Sequence, residues 1–393
     1  MKEIATPEEY RDISPFSDQE FHSKMEQMVV EPGFKHAVTW VMPDIDFDAF
    51  CNQLLQVKTK EEFQLNIIHP FLEMLANKTT NGISDEGLEN IDPNKKSVII
   101  TNHRDIVLDA SFLNICLIRK GIKTTEIAIG NNLLIYEWIE DLVRLNKSVI
   151  VKRDTGMRHA LEAAIQLSGY IHFAITQKGE SIWIAQRQGR AKDSSDETQE
   201  SLIKMLAIAG GKSTLENLLE LNIMPVTISY EYDPNDYLKA REFLLKSKNP
   251  NFKKTQRDDL FSMETGLLQN KGRIHYTFSE SINKEIEGLT DLCKQDLLLE
   301  VCKIIDNHIH KNYRIYPCNY IAYDERFGSD RFKNEYTAED IETFHKYIDN
   351  QLQKVIKEMD FELSDDDFKF MRQKMMVMYS NPLINKLKAL GEE

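Results

Sequence analysis

The strongest constraint in this sequence is an alternation that runs from 97 to 232. Short apolar runs at 97–100, 126–129, 148–152, 181–186 and 223–232 are too brief for helices and end at polar or glycine-containing breaks. The first four are each followed by apolar residues at helical spacing, reaching 118 and then covering 137–145, 157–175 and 198–208. Strand and helix repeated in this way close into one sheet with helices on its faces. The expected class is α/β: a mixed, largely parallel sheet flanked by helices, with one more strand at 272–278, an N-terminal helical subdomain and C-terminal helices.

The flanks carry a different pattern. Phe47, Phe50, Leu54, Leu55 and then Phe63, Ile67, Ile68, Phe71, Leu72, Leu75 recur at helical spacing and predict two or three helices. The polar stretch 78–96, rich in Asn, Asp and Gly, reads as a connector, and 246–259 as a Lys-rich loop. Helices are expected at 281–289, 292–310 and 341–359. In the last, Phe344, Ile348, Leu352, Val355 and Met359 make one stripe that belongs to a core. The Met-rich run 370–378 predicts a tail helix closing over something apolar. Three units follow: a helical subdomain over 1–90, an α/β domain over 91–335 and a helical extension over 336–393.

The chemistry concentrates where the first strand ends. Asn102-His103-Arg104-Asp105 lies between the run 97–100 and the helical pattern that contains Asp109 and Leu113. An α/β fold places its site at the carboxyl ends of strands. A neutral imidazole there can take a proton from a hydroxyl, and a carboxylate, Asp109 or Asp105, can hold its other ring nitrogen. No Ser sits in a Gly-x-Ser-x-Gly elbow, so the hydroxyl belongs to the substrate. His103-Arg104-Asp105 also spells a protein-kinase triplet. However, Ala110 stands where a kinase needs Asn, and no Asp-Phe-Gly follows.

Two basic clusters emerge at other strand ends. One is Lys152-Arg153. The other is Arg187-Gln188-Gly189-Arg190-Ala191-Lys192. Cations converging on a cleft make a phosphate site, and Gly189 lets backbone approach an anion. The competing reading pairs these cations with the neighbouring Asp154, Asp193 and Glu197. The formal net charge is −14, so binding of nucleic acid by bulk charge is excluded and any anion needs a local cluster. The five cysteines form no C-x-x-C and no metal-ligand spacing, which fits a reducing compartment. No apolar run is long enough to span a bilayer, and the start lacks a signal-peptide pattern. A cytoplasmic protein is expected, with room for peripheral contact at the inner face of the membrane.

Taken together these stretches resemble the glycerolphosphate acyltransferase superfamily, in its soluble bacterial form. Members act on glycerol 3-phosphate or 1-acylglycerol-3-phosphate. The family's N-H-x-x-x-x-D block, with Leu four residues after the Asp, is similar to Asn102-His103 with Asp109 and Leu113, with one extra residue in the gap. Gly130-Asn131-Asn132-Leu133 followed by Val149-Ile150-Val151-Lys152-Arg153 resembles the second block. Gly189, Arg190 and Lys192 match the third, whereas Arg187 and Gln188 depart from it. Pro225-Val226 fits the fourth. The resemblance implies His103 and Asp109 as the catalytic pair, and Lys152, Arg153, Gly189, Arg190 and Lys192 around the acceptor's phosphate. It further implies no cofactor and no metal, with acyl-CoA or acyl-carrier protein as the acyl donor and a phosphate-bearing glycerolipid as acceptor. The 246–254 stretch is a candidate contact for an acidic carrier protein.

Overall fold

The computed structural model describes residues 3–153, 156–359 and 361–392. Its centre is a seven-stranded sheet: β1 (Ile83–Glu86), β2 (Val98–Thr101), β3 (Glu126–Gly130), β4 (Ser148–Val151), β5 (Ile182–Ala185), β6 (Met224–Tyr230) and β7 (Ile274–Phe278). The spatial order is β1-β7-β6-β2-β5-β3-β4, and only the β6–β7 pair is antiparallel. The sheet is therefore mixed and mostly parallel, as the alternation implies. Every residue of β2, β6 and β7 is buried, because strands covered on both faces carry continuous apolar runs.

The crossover helices divide between the faces. The helix Leu108–Arg119 packs Phe112 and Ile115 on the face that carries Ile99, Trp183 and Val226. The helices Gly156–Phe173 and Glu200–Leu206 cover the opposite face, with Leu167, Ile171, Ile203 and Leu206 against Val98, Ile100 and Ile184. The N-terminal helices Asp18–Val29, Pro32–Val41 and Phe47–Gln56 build their own apolar cluster from Phe21, Met25, Phe34 and Leu54. That cluster closes on Leu145 of the helix Glu137–Leu145. The helical unit is thereby held beside the strand ends β3 and β4.

Several elements differ from the sequence expectation, each for a physical reason. The stretch 78–96 contains the edge strand β1. It escapes notice because Ile-Ser-Asp-Glu has one apolar residue, and its ladder to β7 supplies the order. The stretch 246–259 is not one loop, since the helices Asp236–Lys248 and Gln256–Leu268 enter it from both sides. The first turns Asp236, Lys239 and Glu242 inward and the second buries Ser262, Thr265 and Gly266, so neither shows an apolar stripe. The helix expected over 281–289 is the single turn Asn283–Ile286.

The tail helix is far longer than its Met-rich run and spans Asp365–Leu390. Its Met371, Met375 and Tyr379 pack on Phe344, Ile348, Leu352 and Val355 of the helix Ala338–Ile356, so that stripe is core. Among the described residues no helix is long and apolar enough to cross a membrane.

Candidate active site

β2 is anchored by its neighbours before it turns. Asn102 Nδ2 donates to Ile228 O at 2.9 Å, and Ile228 N donates to Asn102 Oδ1 at 2.8 Å, so the strand end is locked to β6. The next residue, His103, is left at the tip with a side chain 12% exposed. Its ring stands edge-on to Trp183, with centroids 5.9 Å apart.

Asp109, fully buried in the first turn of the helix Leu108–Arg119, sits behind the ring. Its Oδ2 lies 2.8 Å from His103 Nδ1 and also accepts from the backbone N–H groups of Arg104 at 2.7 Å and Asp105 at 3.1 Å. A carboxylate can only accept, so Nδ1 carries the proton and Nε2 keeps its lone pair. Asp105 serves a different purpose. Its Oδ1 accepts from Val107 N at 2.9 Å and Leu108 N at 2.8 Å, and its Oδ2 accepts from Asn235 Nδ2 at 3.1 Å. This turn absorbs the extra residue between His103 and Asp109 and starts the helix. Burial, and then the Asp109 charge, push the Asp105 carboxyl up, and Arg190 offsets part of that.

A cavity of about 1710 Å³ opens over the tips of β3, β4 and β5. His103, Lys152, Arg153, Gly189, Arg190 and Lys192 all border it, and Asp109 lies just behind His103. The cations in this wall are not equivalent. Lys152 pairs with Asp12 and donates to Gln166 Oε1 at 3.0 Å. Lys192 pairs with Glu242. Arg153 lies across Gly130, where a Cβ would come within 2.7 Å of its guanidinium carbon, and its Nη1 donates to Asn132 Oδ1 at 3.2 Å. Arg187 Nε and Arg190 Nη1, in contrast, are buried atoms without a hydrogen-bond partner. Gly189, between them in the same loop, has φ +71° and open space at its Cβ position, so it is the turn that needs glycine there.

The carboxylates that do pair come from far along the chain. Of the sequence neighbours, Asp193 accepts from Ser195 N at 3.1 Å, and Asp154 lies outside the described residues.

Residues 82–228 match the family described as Acyltransferase. The match covers the strands β2 to β6 that carry the site and is a likeness of that segment. No curated protein matches the chain. Among solved structures, the 1-acyl-sn-glycerophosphate (LPA) acyltransferase PlsC from Thermotoga maritima is similar to 74% of this chain and 94% of its own, at 11% identity and a TM-score of 0.36.

Three features of this site are not legible as motifs. Arg187 departs from the third block, yet among the described residues it is, with Arg190, a guanidinium with an unpartnered buried nitrogen. Arg104 points away from the cavity and makes a bidentate pair with Asp196 at 2.6 and 2.5 Å, both buried, with Tyr313 as a third member. Gly266 of the helix Gln256–Leu268 approaches Asp105 so closely that a Cβ would sit 2.0 Å from its Oδ2. The last two join residues more than ninety positions apart, and the first is an absence of any partner, so no local pattern marks them.

Proposed function

We propose that this protein is an O-acyltransferase that moves a fatty acyl group from an acyl thioester, acyl-CoA or acyl-carrier protein, to the free hydroxyl of 1-acylglycerol-3-phosphate. The observation that carries the reading is one cavity bordered by a carboxylate-backed imidazole and by Arg187 and Arg190, each of which has a buried guanidinium nitrogen with no partner on the protein. His103 Nε2 takes the proton of the acceptor hydroxyl as its oxygen bonds to the thioester carbonyl carbon. The tetrahedral adduct then expels the thiolate, the C–S bond breaks, and the imidazolium returns the proton to sulfur. Asp109 stabilises the imidazolium in between. Arg187 and Arg190 hold the phosphate, because a buried guanidinium nitrogen gains most from an anionic oxygen.

The cavity mouth supports a lipid acceptor. Trp40, Met74 and Tyr136 border the cavity and are 42%, 42% and 55% exposed. Exposed aromatic and flexible apolar side chains beside a lipid-sized opening suit contact with a membrane surface.

The test is an assay of purified protein that crosses acyl-CoA and acyl-carrier protein donors with glycerol 3-phosphate, lysophosphatidate and a lyso-aminolipid. Saturable transfer to lysophosphatidate is expected. Arg187→Ala and Arg190→Ala should each raise KM for it by roughly tenfold to a hundredfold, the worth of a hydrogen bond to a charged group. Transfer to the lyso-aminolipid alone, insensitive to both substitutions, would replace the phosphate acceptor. Transfer to none would leave a lipid- or carrier-binding protein on this fold.

A further inference from the structure

The cavity does not end at the strand tips, and its walls belong to both faces of the sheet. On one face it is bounded by Trp183, by Val107 and Ser111 of the helix Leu108–Arg119, and by Phe71. On the other it is bounded by Ile184, by Ala164 and Leu167 of the helix Gly156–Phe173, and by Leu202 and Met205. β3 and β5 pair only at Glu126–Ile182 and Ile127–Trp183, so the two sides meet where the carboxyl ends of these strands, Ala128–Gly130 and Ile184–Ala185, run on unpaired with each other and border the cavity. His103, Arg187 and Arg190 stand at that junction. A volume of about 1710 Å³ is well beyond the roughly 300–1,000 Å³ that encloses one ordinary small ligand.

From these two apolar arms we propose that the site holds two acyl chains at once, one on each face of the sheet. The inference rests on the acyltransferase reading above and gives the donor's chain and the acceptor's chain separate walls of the cavity. The chain of the reacting carbonyl is assigned to the Trp183 side, the side that the His103 ring meets edge-on. The acceptor's own chain is set off from the reacting hydroxyl by the glycerol backbone. It passes the tip of β5 and runs down the Ile184 side, between the helices Gly156–Phe173 and Glu200–Leu206. Ala164 is a small side chain that borders this second arm, and Ser111 is a small one that borders the first.

Native mass spectrometry with a long-chain fatty acid as the probe tests this without turnover. The unmodified protein should bind two molecules, Ser111→Phe one and Ala164→Phe one. Kinetics should separate the arms. Ala164→Phe should raise KM for long-chain lysophosphatidate by about tenfold or more and leave donor preference unchanged, whereas Ser111→Phe should shift donor preference toward shorter chains. If Ala164→Phe does not fold, Met205→Trp fills the same arm. A single chain bound by the unmodified protein, or both substitutions acting on the same substrate, overturns the proposal. Two chains bound without transfer to any acceptor would uphold the two-arm cavity and remove the acyltransferase reading instead.

Discussion

His103 and Asp109 are six residues apart, and their side chains meet only because the turn between them is fixed by Asp105 and by the backbone bonds into Asp109 Oδ2. Asp109 therefore does two jobs that different substitutions separate. Asp109→Asn keeps a carbonyl acceptor for the Arg104 and Asp105 N–H groups but cannot stabilise an imidazolium. It should fold and lose at least about a hundredfold in kcat, as should His103→Ala, with KM for both substrates nearly kept. Asp109→Ala leaves those two buried N–H groups without a partner and should also lower unfolding free energy by about 1–3 kcal/mol, measured by urea denaturation. If Asp109→Asn retains full kcat, the imidazole is not the base. At this scale the sequence was informative about His103, Asp109 and Arg190, because strand ends concentrate chemistry. It was silent on Asp12 and Glu242, which occupy Lys152 and Lys192, because such pairs exist only once distant segments pack.

The loop after β5 is held to the turn after β2 by one buried ion pair. Arg104 clamps Asp196, Tyr313 hydrogen-bonds both, and His310 Nε2 lies 2.8 Å from Asp196 O. Burial works against both charges, but each partner more than offsets it, so Asp196 stays below and Arg104 well above its ordinary value. Removing one partner strands the other. Asp196→Ala should cost about 3–5 kcal/mol in chemical denaturation. Arg104→Met combined with Asp196→Asn should cost less than the two single changes added together, because no unpaired charge remains. Asn is the partner of choice since Asp196 has φ +50°, a conformation Asn tolerates. Additive costs would mean that the pair is not coupled. The strands and crossover helices around this clamp were legible from apolar runs and periodicity. β1 was not, because it carries one apolar residue, and the helices Asp236–Lys248 and Gln256–Leu268 were not, because they bury polar or charged residues whose partners lie elsewhere in the chain.

On the scale of the whole molecule, one buried carboxyl gathers the C-terminal helices onto the helix Asp236–Lys248. Asp236 Oδ2 accepts from Tyr347 and Tyr379 hydroxyls, each at 2.7 Å, and its Oδ1 accepts from Gln351 Nε2 at 2.7 Å and Tyr237 N at 2.6 Å. Tyr347 and Gln351 belong to the helix Ala338–Ile356 and Tyr379 to the helix Asp365–Leu390, so this carboxyl gathers three helices. Burial pushes it up to about 6, against the tyrosine hydrogen bonds that favour the ionised form. In the unfolded chain the same group titrates near ~4. Between those two values the folded state binds more protons than the unfolded one, so this group stabilises the fold at the acid end and its contribution falls as pH rises toward 6. A shift of about two pH units corresponds to roughly 3 kcal/mol. Other carboxylates, such as Asp196 and Glu180, are held below their ordinary values and lose stability in acid, so the total curve mixes both signs. The difference between the natural protein and Asp236→Asn isolates the one group. Their unfolding free energies should diverge on acidification from about pH 7 to about pH 4.5, with the natural protein gaining relative to the variant. Parallel curves over that range would mean that Asp236 is ionised in the fold throughout and that the tyrosines outweigh its burial.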